Sequence, residues 1–307
     1  MKNILIALLV IAVIGFGVYA YNKNPSDVAS NNLNNATSTY QVKDDTKKPI
    51  VKGNVPVENK SETVIGKSVG DNNITAYHYG EGTTTEILFV GGIHGGYEWN
   101  TVLVAYQLMD YLKANPSIIP KNIKVTVIPV LNPDGLNKVV GSTGRFAPAD
   151  VSSSQETVIS GRFNGNTVDL NRNFDCDWKA TAKWQTKTVS GGSKAFSEPE
   201  SLAIKNYVEL NKPTAVVVWY SSAGGVFASS CHNGVSAETG SIMKAFAKAS
   251  GYPSSQSFDF YATTGDMVNW LAKNSIPAIS VLLTNHTDTE WNKNKAGVDA
   301  LLKYYAK

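Results

Sequence analysis

The stretch Glu86-Ile-Leu-Phe-Val-Gly-Gly-Ile-His-Gly-Gly-Tyr-Glu-Trp-Asn100 decides the fold. It opens on a short, strongly apolar run ending at Val90, turns sharply through four glycines, and passes into a helical pattern. An unbroken apolar run suits a strand buried on both faces, because a half-exposed strand would alternate apolar with polar residues. Residues 124–130, 215–219 and 278–283 are runs of the same kind. Helical patterns lie between and after them, at 100–114, 198–209, 237–249 and 289–305. The last sets Trp291, Ala296, Leu301, Leu302 and Tyr305 roughly on one face. Ser197-Glu198-Pro199-Glu200 marks a helix start, with acids near the positive end of the helix dipole and proline early. The expected fold class is α/β, a single domain with a mixed, largely parallel sheet and helices on both faces. In such sheets the functional side chains gather at the carboxyl ends of the strands.

Outward from this core, the chain changes character toward its N-terminus. Ile4 to Tyr21 is an uncharged apolar stretch of 18 residues. As a helix it would span roughly 27 Å, close to a bilayer core. Residues 1–21 therefore read as a signal anchor or transmembrane helix, or as a signal peptide cleaved after Val18-Tyr19-Ala20. Residues 22–62, rich in Asn, Ser, Thr, Lys, Asp and Pro, hold too little apolar material to offset the entropy of ordering and read as a disordered polar linker. Residues 63–307 form the folded domain. The expected location is a membrane anchored through the N-terminal helix with the domain extracytoplasmic, or secretion if the signal is removed.

Of the 307 residues 42% are hydrophobic and 17% charged, enough apolar material for a large core. The net charge is only +3, with Lys and Arg scattered, which argues against a nucleic-acid binder and its concentrated basic face. Two cysteines rule out a disulfide-stapled scaffold and a cysteine-rich zinc centre. In an exported protein Cys176 and Cys231 either pair or stay as buried thiols, and the spacing alone leaves both open.

The segments after the strands carry unusual polar residues. His94 and Glu98 lie four residues apart on the glycine-rich turn, and imidazole and carboxylate are standard zinc ligands. Taken alone, the same stretch is explained by a turn that needs glycines and an acid at a helix start. Asn132-Pro-Asp-Gly135 reads as a tight turn. Gly161-Arg162-Phe-Asn164 and Val168-Asp-Leu-Asn-Arg-Asn-Phe174 bring two arginines and several asparagines together, a set able to clamp a carboxylate and an oxyanion.

Taken in order, these pieces resemble the zinc carboxypeptidase family, the carboxypeptidase A-like metallopeptidases. Gly92-Ile-His94 with Glu98-Trp99 resembles its first metal motif, and Asn132–Gly135 and Val168–Phe174 match two further segments. Tyr261-Ala-Thr-Thr-Gly-Asp266-Met-Val-Asn-Trp270 resembles its substrate-binding tyrosine loop. The resemblance implies one zinc ion held by His94 and Glu98, with Asp169 orienting His94 from behind. It also implies Arg162 on the oxyanion, Asn171 and Arg172 on the terminal carboxylate of a peptide, and Tyr261 closing over it. Asp266 falls in the pocket-forming stretch, where it would face a cationic side chain, and helix capping explains it equally.

Three departures stand out. The family places its glutamate three residues after the histidine rather than four. Its third ligand, a histidine directly after a buried strand, is Tyr220 here, and a phenol is a poor zinc ligand unless ionised. Its catalytic glutamate on the last strand is Leu282 here. Tyr220 itself or His232 is then the candidate third ligand, and Asp288 or Glu290 the candidate substitute base, although Thr287 and Asp288 look equally like a helix start. His78 and His286 stand without supporting motifs.

The function the resemblance implies is a zinc-dependent carboxypeptidase-like protein, outside the membrane, recognising and hydrolysing C-terminal residues of peptides or peptidoglycan stem peptides. The alternative is a catalytically inactive pseudopeptidase that binds peptide carboxylates, favoured by Tyr220 and Leu282. A third reading is an amidase or deacylase using the same pocket.

Overall fold

The computed structural model describes residues 61–306. The expected anchor, 1–21, and nearly all of the expected linker, 22–62, lie outside the described residues. Among those described, no helix is long and apolar enough to cross a membrane.

In chain order the elements are β1 (Glu62–Lys67), β2 (Asn73–Tyr79), β3 (Thr85–Val90), α1 (Trp99–Ala114), β4 (Ile123–Ile128), α2 (Pro133–Val140) and α3 (Gln155–Ser160). There follow β5 (Thr181–Trp184), β6 (Lys187–Ser190), α4 (Pro199–Asn211), β7 (Ala215–Ser221), β8 (Gly225–Ala228) and α5 (Ala237–Ser250). The chain closes with β9 (Ser254–Ser255), α6 (Met267–Lys273), β10 (Ala278–Leu283) and α7 (Trp291–Tyr305). Eight strands form one sheet in the order β1-β2-β4-β3-β7-β10-β8-β9, and β5 pairs with β6 in a separate hairpin.

The centre of the sheet, β4-β3-β7-β10, is parallel, and antiparallel pairing appears only toward its edges. Those four strands are the apolar runs of the sequence, and the reason is two-sided burial. Alternate residues of β3 feed two cores. Ile87 and Phe89 pack with Trp219, Val281 and the apolar faces of α1, α5 and α7, through Leu108, Phe246 and Leu301. Leu88 and Val90 pack with Val218, Leu282 and the faces of α4 and α6, through Ile204, Trp270 and Leu271. Each such side chain contributes about 1.5–3 kcal/mol on leaving water.

The expected turn at Asn132-Pro-Asp-Gly135 is instead the start of α2. Asn132 Oδ1 accepts from Gly135 N at 2.9 Å, capping the helix, and Pro133 sits where its missing N–H costs nothing. The helix then packs against the glycine turn after β3. A side chain at Gly96 would strike Val139 at 2.4 Å, and Gly95 combines φ +45° with carbonyl oxygen of Gly161 2.6 Å from where its Cβ would be. Glycine is required at both positions.

Candidate functional site

That close packing winds Gly95–Glu98 into one 3-10 turn. The extra residue between His94 and Glu98 is absorbed there, and His94 Nδ1 comes to 2.9 Å from Glu98 Oε1. The two atoms sit within ion-pair range, yet neither ring nitrogen of His94 nor Glu98 Oε2 finds a hydrogen-bond partner of proper geometry. On the far side of the ring, Asp169 Oδ1 lies 3.4 Å from His94 Nε2. Asp169 in turn receives Arg162 Nε on its other oxygen at 2.9 Å. Burial pushes the Asp169 carboxyl upward, but Arg162, and after it His94, outweigh that and hold it well below the usual carboxylate range. Arg162 Nη1 stands 3.7 Å from Glu98 Oε1, its guanidinium lies 4.3 Å over the Trp184 ring, and its buried Nη2 is unpaired.

Val168–Phe174 supplies the second half of the site. Leu170–Arg172 is a single 3-10 turn, started by Asp169 accepting from Asn171 N at 3.1 Å. Arg172 is pinned by Nε to Lys183 O at 2.9 Å and by Nη1 to Asn171 O at 2.5 Å, and its buried Nη2 has no partner. The Tyr261 ring lies 5.9 Å from the Arg172 guanidinium. His94, Glu98, Asn171, Arg172, Tyr220, Tyr261, Asp266 and Leu282 all line one cavity, completed by apolar Phe227, Phe258 and Val268. A cleft sharing Glu98, Ser221 and Leu282 with it adds Arg162, Tyr97, Trp184, Phe260 and His286.

Tyr220 and Leu282 are register partners on the adjacent parallel strands β7 and β10. The Tyr220 ring is 5.7 Å from the His94 ring, beside the His94–Glu98 pair. Its hydroxyl, however, donates to Asn171 Oδ1 at 3.3 Å, and burial, with Asp266 and Glu98 nearby, raises its pKa well above 10. The neutral phenol is thus engaged as a donor to Asn171. Among the described residues, the group of three or more His, Cys, Asp or Glu with converging ligand atoms is Cys176, Cys231 and His232, so the pair His94–Glu98 has no third such partner. The residues present therefore do not fit a three-ligand zinc centre.

The other candidates fall elsewhere. His232 is exposed, paired with Asp177 at 3.0 Å, and does not line the cavity. Asp288 belongs to a separate groove with Tyr106 and Arg145, and accepts from Glu290 N at 2.8 Å. Glu290 is fully engaged at the start of α7, accepting from Thr284 N, Thr284 Oγ1, Tyr252 OH and Lys293 Nζ at 2.7–2.9 Å. Burial opposes its ionisation, but the bonds from Lys293 and Thr284 lower its pKa to about 2. The structure brings neither acid to the site, because both serve the turn that leads into the last helix. Asp266 does line the cavity, but as the cap of α6: its oxygens accept from Asn269 N at 3.0 Å and Asn269 Nδ2 at 2.6 Å. Burial raises its pKa, against the bonds from Asn269 and the charge of Arg172.

One residue the motifs missed is His286. Its Nδ1 is 2.8 Å from Ser221 Oγ, its Nε2 3.3 Å from Ser222 Oγ, and its ring 4.7 Å from Tyr97. Burial lowers its pKa, so the ring in the cleft beside Glu98 and Arg162 is neutral near pH 7. The available signal was its place just beyond the strand that carries Leu282.

The sequence profile described as zinc carboxypeptidase matches residues 58–290. The γ-D-glutamyl-L-diamino acid endopeptidase 1 of Lysinibacillus sphaericus is 26% identical over 224 residues, 65% of this chain and 55% of its own length. The chain thus spans about half of that relative. Murein-tripeptide amidase MpaA of Escherichia coli O157 has a similar structure, with TM-score 0.56 and 19% identity over 81% of this chain and 94% of its own. Bovine thrombin-activatable fibrinolysis inhibitor, solved with a tick carboxypeptidase inhibitor, gives TM-score 0.61 and 17% identity over 80% of this chain and 88% of its own. At such identities the structural likeness establishes the fold alone.

Proposed function

The chain belongs to the zinc carboxypeptidase family, and from that premise we propose that it is a peptide-binding member: it grips the free C-terminal carboxylate of a peptide without a resident catalytic zinc. The observation that carries this reading is the state of the two halves of one cavity. On the binding side, Arg172 Nη2 is buried, unpaired and set beside Asn171 and Tyr261. On the metal side, Tyr220 and Leu282, register partners on adjacent strands, stand where the motif resemblance calls for a ligand and a base. A carboxylate entering the cavity satisfies the guanidinium with a charge-assisted bond, worth about 1.5–3 kcal/mol. Arg162 Nη2, the other unpaired guanidinium nitrogen, is placed to donate to a peptide carbonyl in the adjoining cleft. Phe227, Phe258 and Val268 take the apolar part of the terminal residue.

The similar proteins support a ligand class. One is named for murein tripeptide and another for γ-D-glutamyl-L-diamino acid bonds, so stem peptides of peptidoglycan are the proposed partners, met outside the membrane. Residues 1–21 serve this as anchor or cleaved signal; fractionation of cells carrying the full chain, with N-terminal sequencing, separates the two.

The test is calorimetry of the purified protein, in the presence of a chelator, with stem-type peptides ending in a free carboxylate and with their amides. The free acids should bind at least roughly tenfold more tightly, the factor that 1.4 kcal/mol represents. Equal affinity for acid and amide, or rapid release of the terminal residue under chelation-free conditions, would sink the reading.

A further inference from the structure

Beside the cavity lies a second set of chemically capable side chains. Cys176 and Cys231, 55 residues apart in sequence, are joined by a disulfide with their Cα atoms 6.2 Å apart. Both sulfurs and a ring nitrogen of His232 lie within 4.8 Å of one another. His232 Nε2 is 3.0 Å from Asp177 Oδ1, while Asp177 Oδ2 is 3.9 Å from Cys176 Sγ. Two sulfurs, an imidazole and a carboxylate converge from two separate loops. His232 and Asp177 are both exposed and hold no part of the core. They face each other across the bridge from backbones with φ of +64° and +53°. Such conformations are uncommon for residues with side chains.

We propose that this cluster is a redox-gated site for a thiophilic divalent cation, zinc foremost, which forms when the disulfide is reduced. A dithiol reductant delivers two electrons and two protons to the bridge, leaving two cysteine thiols and becoming a disulfide itself. The cation then displaces both thiol protons to solvent, and Cys176, Cys231, His232 and Asp177 supply an S2NO set. Disulfide and metal exclude each other, because both use the same two sulfurs. Tetrahedral zinc with Zn–S near 2.3 Å holds its sulfurs roughly 3.8 Å apart, a spacing compatible with Cα atoms 6.2 Å apart. Thiolate ligands select zinc over calcium or magnesium.

The site is wired to the cavity. Cys176 O accepts from Gly265 N at 2.7 Å, and Ser230, next to Cys231, donates its N–H to Asn269 Oδ1 at 2.9 Å. Those contacts grip the segment that carries Asp266, so the state of the sulfurs reaches the wall of the peptide site.

Anaerobic titration of the full-length protein with cobalt(II), after reduction with a phosphine that is then removed, reads the site directly. One equivalent should bind with a near-ultraviolet thiolate charge-transfer band and the visible bands of a tetrahedral ion. Unreduced protein should show neither. Metal held at His94–Glu98 has no sulfur ligand and gives no thiolate band, so the two centres are told apart spectroscopically. Cys176→Ser with Cys231→Ser should abolish the band, and His232→Ala, an exposed change that leaves the core intact, should weaken cobalt binding by roughly tenfold or more, at least the loss expected for an outer-shell partner. Absence of the thiolate band in reduced protein overturns the proposal, as does His232→Ala binding cobalt as tightly as the parent.

Discussion

If Tyr220 occupies the place of a zinc ligand, Tyr220→His should create a zinc site in one step. The side chain already stands beside its partners: its ring is 5.7 Å from that of His94, and His94 Nδ1 and Glu98 Oε1 are 2.9 Å apart. Without metal the change should destabilise, since it removes a buried ring's packing and the hydrogen bond to Asn171. The sum is about 2–3 kcal/mol. With zinc the sign reverses. Free zinc at about a thousand times its dissociation constant adds about 4 kcal/mol of stability. For a domain of this size, each kcal/mol moves the midpoint by about 2–4 °C, so the zinc-dependent rise should be roughly 8–16 °C. The parent should move little. Thermal melts with chelator and with zinc, beside metal analysis of dialysed protein, measure both quantities. Adding Leu282→Glu, the register partner on β10, should then bring hydrolysis of C-terminal residues. A folded Tyr220→His variant whose melting point ignores zinc would refute the placement of Tyr220. Tight stoichiometric zinc in the parent would refute the proposed binding function instead.

Asp169→Asn should cost about 3–5 kcal/mol in urea unfolding, because it strips the nearer buried carboxylate from Arg162 and leaves that charge facing only Glu98, 3.7 Å away. The folded-state pKa of Asp169 lies below the unfolded value of about 3.9, so its contribution is complete above that pH and drains away as pH falls beneath it. The acid limb of the parent's stability curve should therefore be steeper than the variant's; parallel limbs would count against the ion pair. Arg172→Lys keeps the charge but loses the planar fork, and should weaken binding of free-acid peptides by roughly 10–100-fold in calorimetry while leaving amides unchanged. Reducing the Cys176–Cys231 bridge without metal should lower stability by up to about 4 kcal/mol for a loop of this length, read as a fall in the urea midpoint.

The central strands were legible because burial on both faces leaves short apolar runs between polar, turn-rich segments. The edge strands β1, β2, β8 and β9 were not, since they are short or half-exposed and carry no long unbroken apolar run. The start of α2 looked like a turn because Pro133 and Gly135 favour both a turn and a helix start, and the cap from Asn132 to Gly135 N serves either. At the site, His94, Glu98, Tyr220 and Leu282 converge because they lie at or just beyond the ends of the adjacent parallel strands β3, β7 and β10. His286 was invisible for the opposite reason: its hydroxyl partners Ser221 and Ser222 are 65 and 64 positions away, and no local pattern announces them. Asp288 and Glu290 drew attention as acids near a lost base. A sequence cannot reveal that Thr284, Tyr252 and Lys293 have already claimed Glu290.

The stacking of Arg162 on Trp184 has a practical consequence. Indole emission responds to charges close to the ring, and this guanidinium sits 4.3 Å from it, inside the cleft. Any ligand that draws on Arg162 Nη2 alters the field at that indole. The protein therefore carries its own optical gauge of occupancy: a label-free fluorescence change on adding ligand, removed by Trp184→Phe, reports engagement of the arginine even when no bond is cut.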